Sequence, residues 1–171
     1  MSTELQLLWS RLADPEYLHL LLESLPLYGG LFALVGLLLA GVLQQRRMQA
    51  VLLILMACSF AAAVPAQELR RQALPRVLAT HDAARRALIE EQTDRRGDFQ
   101  WLFLAVAVVA IGGLFLGRLP LVGMAVRSLL LPLAAAAVLV ALWLHMKEAE
   151  VHHRNIVKPA IPMASAVAQR P

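Results

Sequence analysis

The sequence is poor in charged and aromatic residues and has a single cysteine. Charged residues make up 16% of its 171 positions and aromatic residues 6%, which is unusual for a water-soluble domain. The lone cysteine, Cys58, excludes an intrachain disulfide and any site built from several thiolates. The sequence also lacks a glycine-rich phosphate loop, a G-x-S-x-G turn and an H-E-x-x-H pair. It therefore favours a protein without a catalytic site.

Apolar residues are present in excess. They make up 59% of the chain, and the mean hydropathy is +0.62. They form four blocks, at about residues 17–43, 50–66, 99–117 and 128–146, each near the length of a helix that crosses about 30 Å of hydrocarbon. The pattern predicts an all-α integral membrane protein with a four-helix bundle over residues 17–146. An extramembrane segment, 1–16, precedes the bundle, and a tail, 147–171, follows it.

The net charge of +4 does not indicate a nucleic-acid partner, because the basic residues flank the apolar blocks instead of forming a basic stripe. Arg46 and Arg47 lie in the first short loop, and Arg118 and Arg127 lie around the last one. The positive-inside rule then puts these loops in the cytoplasm. The seven arginines of the long loop favour the opposite orientation, but six acids accompany them. We expect a bacterial inner-membrane protein whose termini and long loop lie on the non-cytoplasmic side.

The long connection between the second and third blocks covers about residues 67–98. After Pro75 it predicts an amphipathic extramembrane helix at about 76–96, with Thr80 or Asp82 as its N-cap and Gly97 near its end. We expect this helix to lie against the membrane face. Its interleaved acids and arginines are typical of a solvated surface, where ion pairs contribute little.

Small residues recur at four-residue spacing within the apolar blocks. Examples are Gly36 with Ala40, Gly113 with Gly117, and the alanine run 134–137. Such residues let helix backbones approach closely in a bilayer. The spacing predicts either tight packing within one bundle or a face for a homo-oligomer.

Glu23 is the one acid inside an apolar block, and ionisable residues within a membrane usually mark function. His19 lies four residues earlier, so both side chains share a helical face and can form a hydrogen bond. This pairing favours a role in proton handling. The alternative interpretation is that both residues lie at headgroup depth and are hydrated.

A second candidate site is the end of the fourth block. His145, Glu148 and His152 fall at positions i, i+3 and i+7 of a helix, so they form one stripe of transition-metal ligands. An imidazole at the mouth of a bundle also suits haem iron when a second helix supplies a partner. The predicted topology places all five histidines on one membrane face: His19, His81, His145, His152 and His153.

Three stretches carry a resemblance to a known group: HLLLESLPLYGGLFALVGLLL, ALPRVLATHDAARRALI and VHHRNI. They resemble poorly characterised bacterial four-helix membrane proteins related to DUF2231-type families. The histidine pattern of that group implies a b-type haem or a metal site. Carried over by position, His19, His81 and His153 fill three of its histidine positions.

The sequence departs from that group at four positions. Ser24 stands where the group has the histidine of its Asn-His-Leu-Pro element, and Glu23 replaces the asparagine. In the tail, His152 and Asn155 replace an arginine and a glutamate. The resemblance implies two-ligand haem only if His152 or His145 substitutes for the missing imidazole.

Two functions follow as expectations. The first is a membrane protein that binds haem b or a transition metal and passes electrons to a partner. The alternative is a non-catalytic accessory or structural subunit of a larger membrane complex, with its helices docked on other subunits.

Overall fold

A computed structural model describes residues 4–6, 9, 14–117 and 120–152. The elements from Pro15 onward are all helical, in this order: α1 (Pro15–Glu23), α2 (Leu25–Val42), α3 (Arg46–Ala61), α4 (Ala63–Ala79), α5 (Ala83–Asp98), α6 (Gln100–Leu116) and α7 (Pro120–His152). Among the described residues, four continuous helical segments are long and apolar enough to cross a membrane. We call them spans 1 to 4: Tyr17–Val42, Arg46–Ala79, Arg85–Leu116 and Val122–Ala149. The predicted all-α, multi-pass bundle is confirmed.

Spans 1, 2 and 3 each consist of two helices joined at a short break, which in span 3 is at Phe99, between α5 and α6. In span 1 the break is at Ser24, whose hydroxyl donates to the carbonyl of Leu21 at 2.9 Å, and Pro26 follows in the first turn of α2. In span 2 the break is at Ala62, and Pro65 lies in the first turn of α4. Proline is tolerated there because the first-turn N–H groups have no helical acceptor. The helix therefore continues beyond Pro65, to Ala79.

The four spans pack as a closed bundle. Span 1 contacts span 2, span 2 contacts span 3, span 3 contacts span 4, and span 4 returns to span 1. A tight turn at residues 43–45 joins spans 1 and 2, with Gln44 at a φ of 53°. The buried Gln49 side chain donates to the carbonyl of Ala40 at 2.9 Å and holds this turn. Successive spans are therefore antiparallel.

This topology gives the bundle two distinct ends. The turn at residues 80–82 lies at the same end as the start of α1 and the end of α7, and we call it the hairpin end. The turns after Val42 and Leu116 form the opposite end. Because successive spans are antiparallel, the long loop and the segments next to both termini lie at the same end of the bundle.

The small residues identified in the sequence pack within the chain. A Cβ on Gly36 would lie 2.7 Å from a methyl group of Leu52, and one on Gly113 would lie 3.3 Å from Val126. In span 4, Ala134 and Ala137 are fully buried in the core. Of the two interpretations, close packing within one bundle describes these positions.

The segment predicted as one helix at 76–96 consists of the end of α4, a turn and most of α5. Asp82 is the N-cap of α5, and its side chain accepts from the backbone N–H of Arg85 at 2.8 Å. The predicted start at Asp82 is thereby confirmed, and α5 ends one residue after Gly97. The two helices form an antiparallel hairpin because α4 packs against α1 and α5 packs against α7. Pro75 lies within α4, and the helix continues past it to Ala79.

Candidate functional site

Four charged side chains, one from each span, meet near the hairpin end of the bundle. They are Glu23, Arg70, Arg96 and Glu148, which we call the charged ring. Arg70 Nη1 lies 3.2 Å from Glu23 Oε1, and Arg70 Nη2 lies 2.9 Å from Glu148 Oε1. Arg96 Nη2 contacts both Glu23 and Glu148. Each guanidinium therefore bridges both carboxylates, and the ion pairs close a cycle through all four spans.

The charged ring is buried. The exposed fractions are 10% for the Glu23 side chain, 12% for Arg70, 15% for Arg96 and 19% for Glu148. Removing charges from water is expensive unless each is paired and hydrogen-bonded. The two acids and two arginines sum to zero charge, which satisfies this requirement.

The charged ring lies at the edge of the apolar part of the bundle. Its members are roughly 20 to 26 residues from the opposite end, or about 30 to 40 Å at 1.5 Å per residue. This distance matches or slightly exceeds the thickness of the hydrocarbon layer. Nearby, Phe99 packs edge to face on Trp143 at 5.8 Å between centroids, and Arg95 lies 5.6 Å from the Trp143 ring centroid. Tryptophan is enriched at membrane boundaries, so both observations place the ring at that depth.

A layer of hydrogen bonds fixes the orientation of Arg70. Its Nε donates to Thr93 Oγ1 at 3.2 Å, and the Thr93 hydroxyl donates to the carbonyl of Ile89 at 2.9 Å. The Gln67 amide donates to the carbonyl of Thr93 at 2.8 Å. Thr93 is only 2% exposed. These bonds join α4 to α5 behind the charged ring.

His19 belongs to the same cluster. Its Nε2 lies 3.8 Å from Glu23 Oε2, which confirms the predicted pairing of these two residues on one helical face. The His19 side chain is 11% exposed and that of Glu23 is 10% exposed. Both side chains are thus largely buried, and their position at headgroup depth stays a prediction.

A cavity lies directly beside the charged ring, on its membrane side. Its enclosed volume is about 40 Å³, and the space reaches about 550 Å³ only when the open region at its mouth is counted. Glu23, Arg70 and Arg96 form its charged wall. Every other lining residue lies closer to the opposite end than the ring member of its own span: Pro26, Leu27, Ala63, Ala66, Gln67, Gln100, Phe103, Ala141, Leu144 and His145. The cavity is therefore within the apolar section, with the ring as its roof.

The cavity opens to the exterior of the bundle and ends blindly inside it. Ala63 is half-buried and His145 is exposed, although both line the cavity. On the inner side, Phe60 stacks on Phe103 with 6.0 Å between centroids. Phe60 belongs to a buried core that continues toward the opposite end. Over the described residues the arrangement is that of a binding pocket, and the packed core closes its inner end.

The predicted histidine set is only partly brought together. His145 lines the cavity, and His19 contacts Glu23. His81 lies in the hairpin turn, where its Nδ1 is 2.8 Å from the carbonyl of Val77. His152 is the last residue of α7, and nothing is described of its side chain; His153 lies outside the described residues.

The predicted metal stripe has a different set of neighbours. Glu148 pairs with Arg70 and Arg96 in the charged ring. Within the part of the chain that the structure describes, no group of three or more His, Cys, Asp or Glu side chains is placed to hold a metal ion. His145 is the one histidine among the described residues that line the cavity.

Sequence reasoning missed Arg70 and Arg96, which it assigned to a solvated surface. A usable signal was their distance along the helix from the opposite end. Counted from the turns after Val42 and Leu116, both arginines fall at nearly the level of Glu23 if the spans continue as straight helices. Both arginines were assigned to the loop between the apolar blocks, so their position at the depth of Glu23 was not recognised.

Comparison with known proteins finds no matching family model, and no curated protein or solved structure that is similar to the chain. The resemblance to DUF2231-type proteins therefore stays a prediction. The fold itself defines a multi-pass membrane protein in contact with lipid.

Proposed function

We propose that this protein binds a small, largely apolar molecule from the bilayer in the cavity beneath the charged ring. One observation carries the proposal: a pocket with a mostly apolar lining, open to the exterior, lies within the apolar section and has paired charges as its roof. A ligand with an apolar body and a polar end matches this division of the walls.

A purely structural role explains the pocket less well. Buried ion pairs can often be replaced by apolar side chains without loss of stability, and ionisable groups within membranes usually have a functional purpose. Unfilled space also loses dispersion contacts. In a chain selected only for packing, neither the buried charged ring nor the cavity beside it would add to stability.

Haem or metal binding with electron transfer has weaker support from the geometry. Haem held by two imidazoles needs both to face one pocket, and His145 is the one histidine among the described cavity residues. Glu148, the carboxylate of the predicted metal stripe, already pairs with Arg70 and Arg96. Haem b or a transition metal thus stays a prediction from the sequence.

The accessory-subunit function also stays a prediction, as do the homo-oligomer, the bacterial inner membrane and the non-cytoplasmic placement of the hairpin end. The small residues proposed as an oligomer face pack within the bundle, which removes one argument for self-association.

Filling the cavity tests the proposed function. The wild-type protein in lipid nanodiscs would be exposed to a small apolar phenyldiazirine photolabel and mapped residue by residue. We expect saturable labelling of Leu144, which is 1% exposed and lines the cavity. Ala63→Phe should reduce this labelling severalfold, because the ring occupies the pocket from a half-buried position.

Two controls accompany this variant. Ala61→Phe makes the same change at an exposed position two residues before Ala63, and should leave Leu144 labelling unchanged. Leu142, which is 43% exposed, should be labelled equally in all three proteins. The proposal fails if Leu144 is labelled no less in Ala63→Phe than in Ala61→Phe.

A further inference from the structure

We infer that the opposite end of the bundle binds anionic phospholipids, with Arg127 on span 4 and Arg46 and Arg47 on span 2 holding their phosphate groups. This surface is separate from the cavity beneath the charged ring and does not depend on the proposed function. The distribution of charge, the depth of the arginines and the apolar side chains beside them all point to a lipid.

The opposite end contains basic residues and no acidic ones. The sequence places four arginines next to its turns: Arg46, Arg47, Arg118 and Arg127. Arg118 lies outside the described residues. No acidic residue occurs in residues 24–67 or 99–147. The twelve remaining Lys and Arg residues equal the twelve Asp and Glu residues in number, so the four arginines account for the whole net charge of +4. The opposite end therefore attracts anions.

The depth of these arginines matches the headgroup region of one leaflet. Arg127 lies roughly 21 residues from Glu148, and Arg47 lies roughly 23 residues from Arg70, which corresponds to about 32 and 35 Å along a helix. The charged ring lies at one boundary of the hydrocarbon layer, which is about 30 Å thick. Both arginines therefore lie just beyond the other boundary, where phospholipids carry their phosphate groups.

Exposed apolar side chains border the arginines on both spans. Arg127, Arg46 and Arg47 are exposed. Next to them, large apolar side chains are also more than half exposed: Met124 and Leu129 on span 4, and Met48 and Val51 on span 2. A guanidinium beside an apolar helix face matches a phospholipid, whose phosphate lies next to its acyl chains. A water-soluble acidic protein would suit the guanidinium groups but not the apolar faces.

The chemistry of the arginines selects among phospholipids. A guanidinium binds phosphate through two parallel hydrogen bonds, and basic clusters at a membrane surface are typical of anionic-lipid recognition. Phosphatidylcholine also has a phosphate, but its choline cation is repelled by an arginine. Phosphatidylglycerol has the phosphate without a cation. We therefore expect the opposite end to prefer phosphatidylglycerol over phosphatidylcholine.

The single cysteine allows a test at each site. In a Cys58→Ser background, Met124→Cys carries a bimane label beside Arg127 (the span 4 label), and Met48→Cys carries one beside Arg47 in a second protein (the span 2 label). Each protein is reconstituted at low salt in phosphatidylcholine vesicles that contain spin-labelled phosphatidylglycerol or spin-labelled phosphatidylcholine as quencher. Phosphatidylglycerol should quench both labels at about fivefold lower mole fraction, the effect of one basic residue near an anionic headgroup.

Arginine variants show whether the preference is local. Arg127→Gln should reduce the preference at the span 4 label to below about twofold and leave the span 2 label unchanged. Replacing Arg46 and Arg47 together by glutamine should have the converse effect. Arg71→Gln is the matched control, because it removes an exposed arginine near the charged ring and should change neither label.

Equal quenching by the two lipids in the labelled proteins without arginine substitutions would overturn the inference. That result is expected if the arginines only set the orientation of the chain during insertion, or if they bind a soluble acidic protein. A preference that survives the loss of the neighbouring arginines would overturn it as well.

Salt provides a second measurement that needs no arginine substitution. At 1 M salt the Debye length is about 3 Å, so the preference at both labels should fall below about twofold. An unchanged preference at high salt would contradict binding through the arginine charges. None of these results bears on the cavity, which the labelling of Leu144 tests separately.

Discussion

Replacing Arg96 by glutamine is expected to lower the free energy of unfolding by about 3 to 5 kcal/mol, the usual cost of removing one partner from a buried ion pair. Arg96 contacts both Glu23 and Glu148, so its loss leaves two buried carboxylates with one guanidinium between them. The remaining charge of −1 lies among side chains that are at most 19% exposed. Titration with SDS in mixed micelles measures this change.

An exposed arginine provides the matched control. Arg76 pairs with Asp14 at 3.3 Å, but its side chain is 67% exposed. Arg76→Gln should change the free energy of unfolding by less than about 1 kcal/mol, because solvent screens such pairs. Equal effects at the two arginines would show that the ring is not buried as described.

The second large effect concerns the contact between spans 1 and 2. A Cβ added at Gly30 would lie 2.7 Å from Phe60 Cζ. Phe60 is fully buried and stacks on Phe103, so it has little room to move away. Gly30→Ala is therefore expected to cost about 1 to 3 kcal/mol, the usual penalty for overpacking a core. The same SDS titration measures it.

Gly112→Ala is the control for this substitution. A Cβ at Gly112 meets nothing within 4 Å, and the residue lies within α6. Alanine should leave stability unchanged or raise it by up to about 1 kcal/mol, through its better helix propensity. If Gly30→Ala were as well tolerated as Gly112→Ala, spans 1 and 2 would not approach as closely as the structure shows.

Much of the fold follows from the amino-acid sequence, because the bilayer imposes simple rules. Apolar blocks of sufficient length predict the four spans, and short loops predict antiparallel neighbours. The cost of an acid in hydrocarbon identifies Glu23, and helical periodicity pairs it with His19. Each of these predictions depends only on residues that are close together in the sequence.

The charged ring was not predictable in the same way, because it depends on the register of four helices. Arg70 is followed by Arg71, and Arg96 is preceded by Arg95. Nothing in the sequence tells which member of each pair faces inward. Arg95 lies over Trp143, whereas Arg96 bridges two carboxylates. Only the packing of α4 and α5 on the other helices makes this distinction.

The end of span 4 illustrates the same limit. The sequence places His145 and Glu148 on one helical face, and in the structure His145 lines the cavity while Glu148 belongs to its roof. The shared face was therefore predicted, but the partners were not. A carboxylate suits a metal ion and a guanidinium equally well, and the partner comes from helices distant in sequence.

Charges from four separate spans form one neutral, buried ring. A double-mutant cycle between Arg96 and Glu148 tests whether they do, using Arg96→Gln, Glu148→Gln and the double variant. Because the double variant restores neutrality, it should be more stable than the sum of the single losses predicts, by about 1 to 3 kcal/mol. Strictly additive losses would mean that spans 3 and 4 do not share this ion pair and that the ring does not form as described.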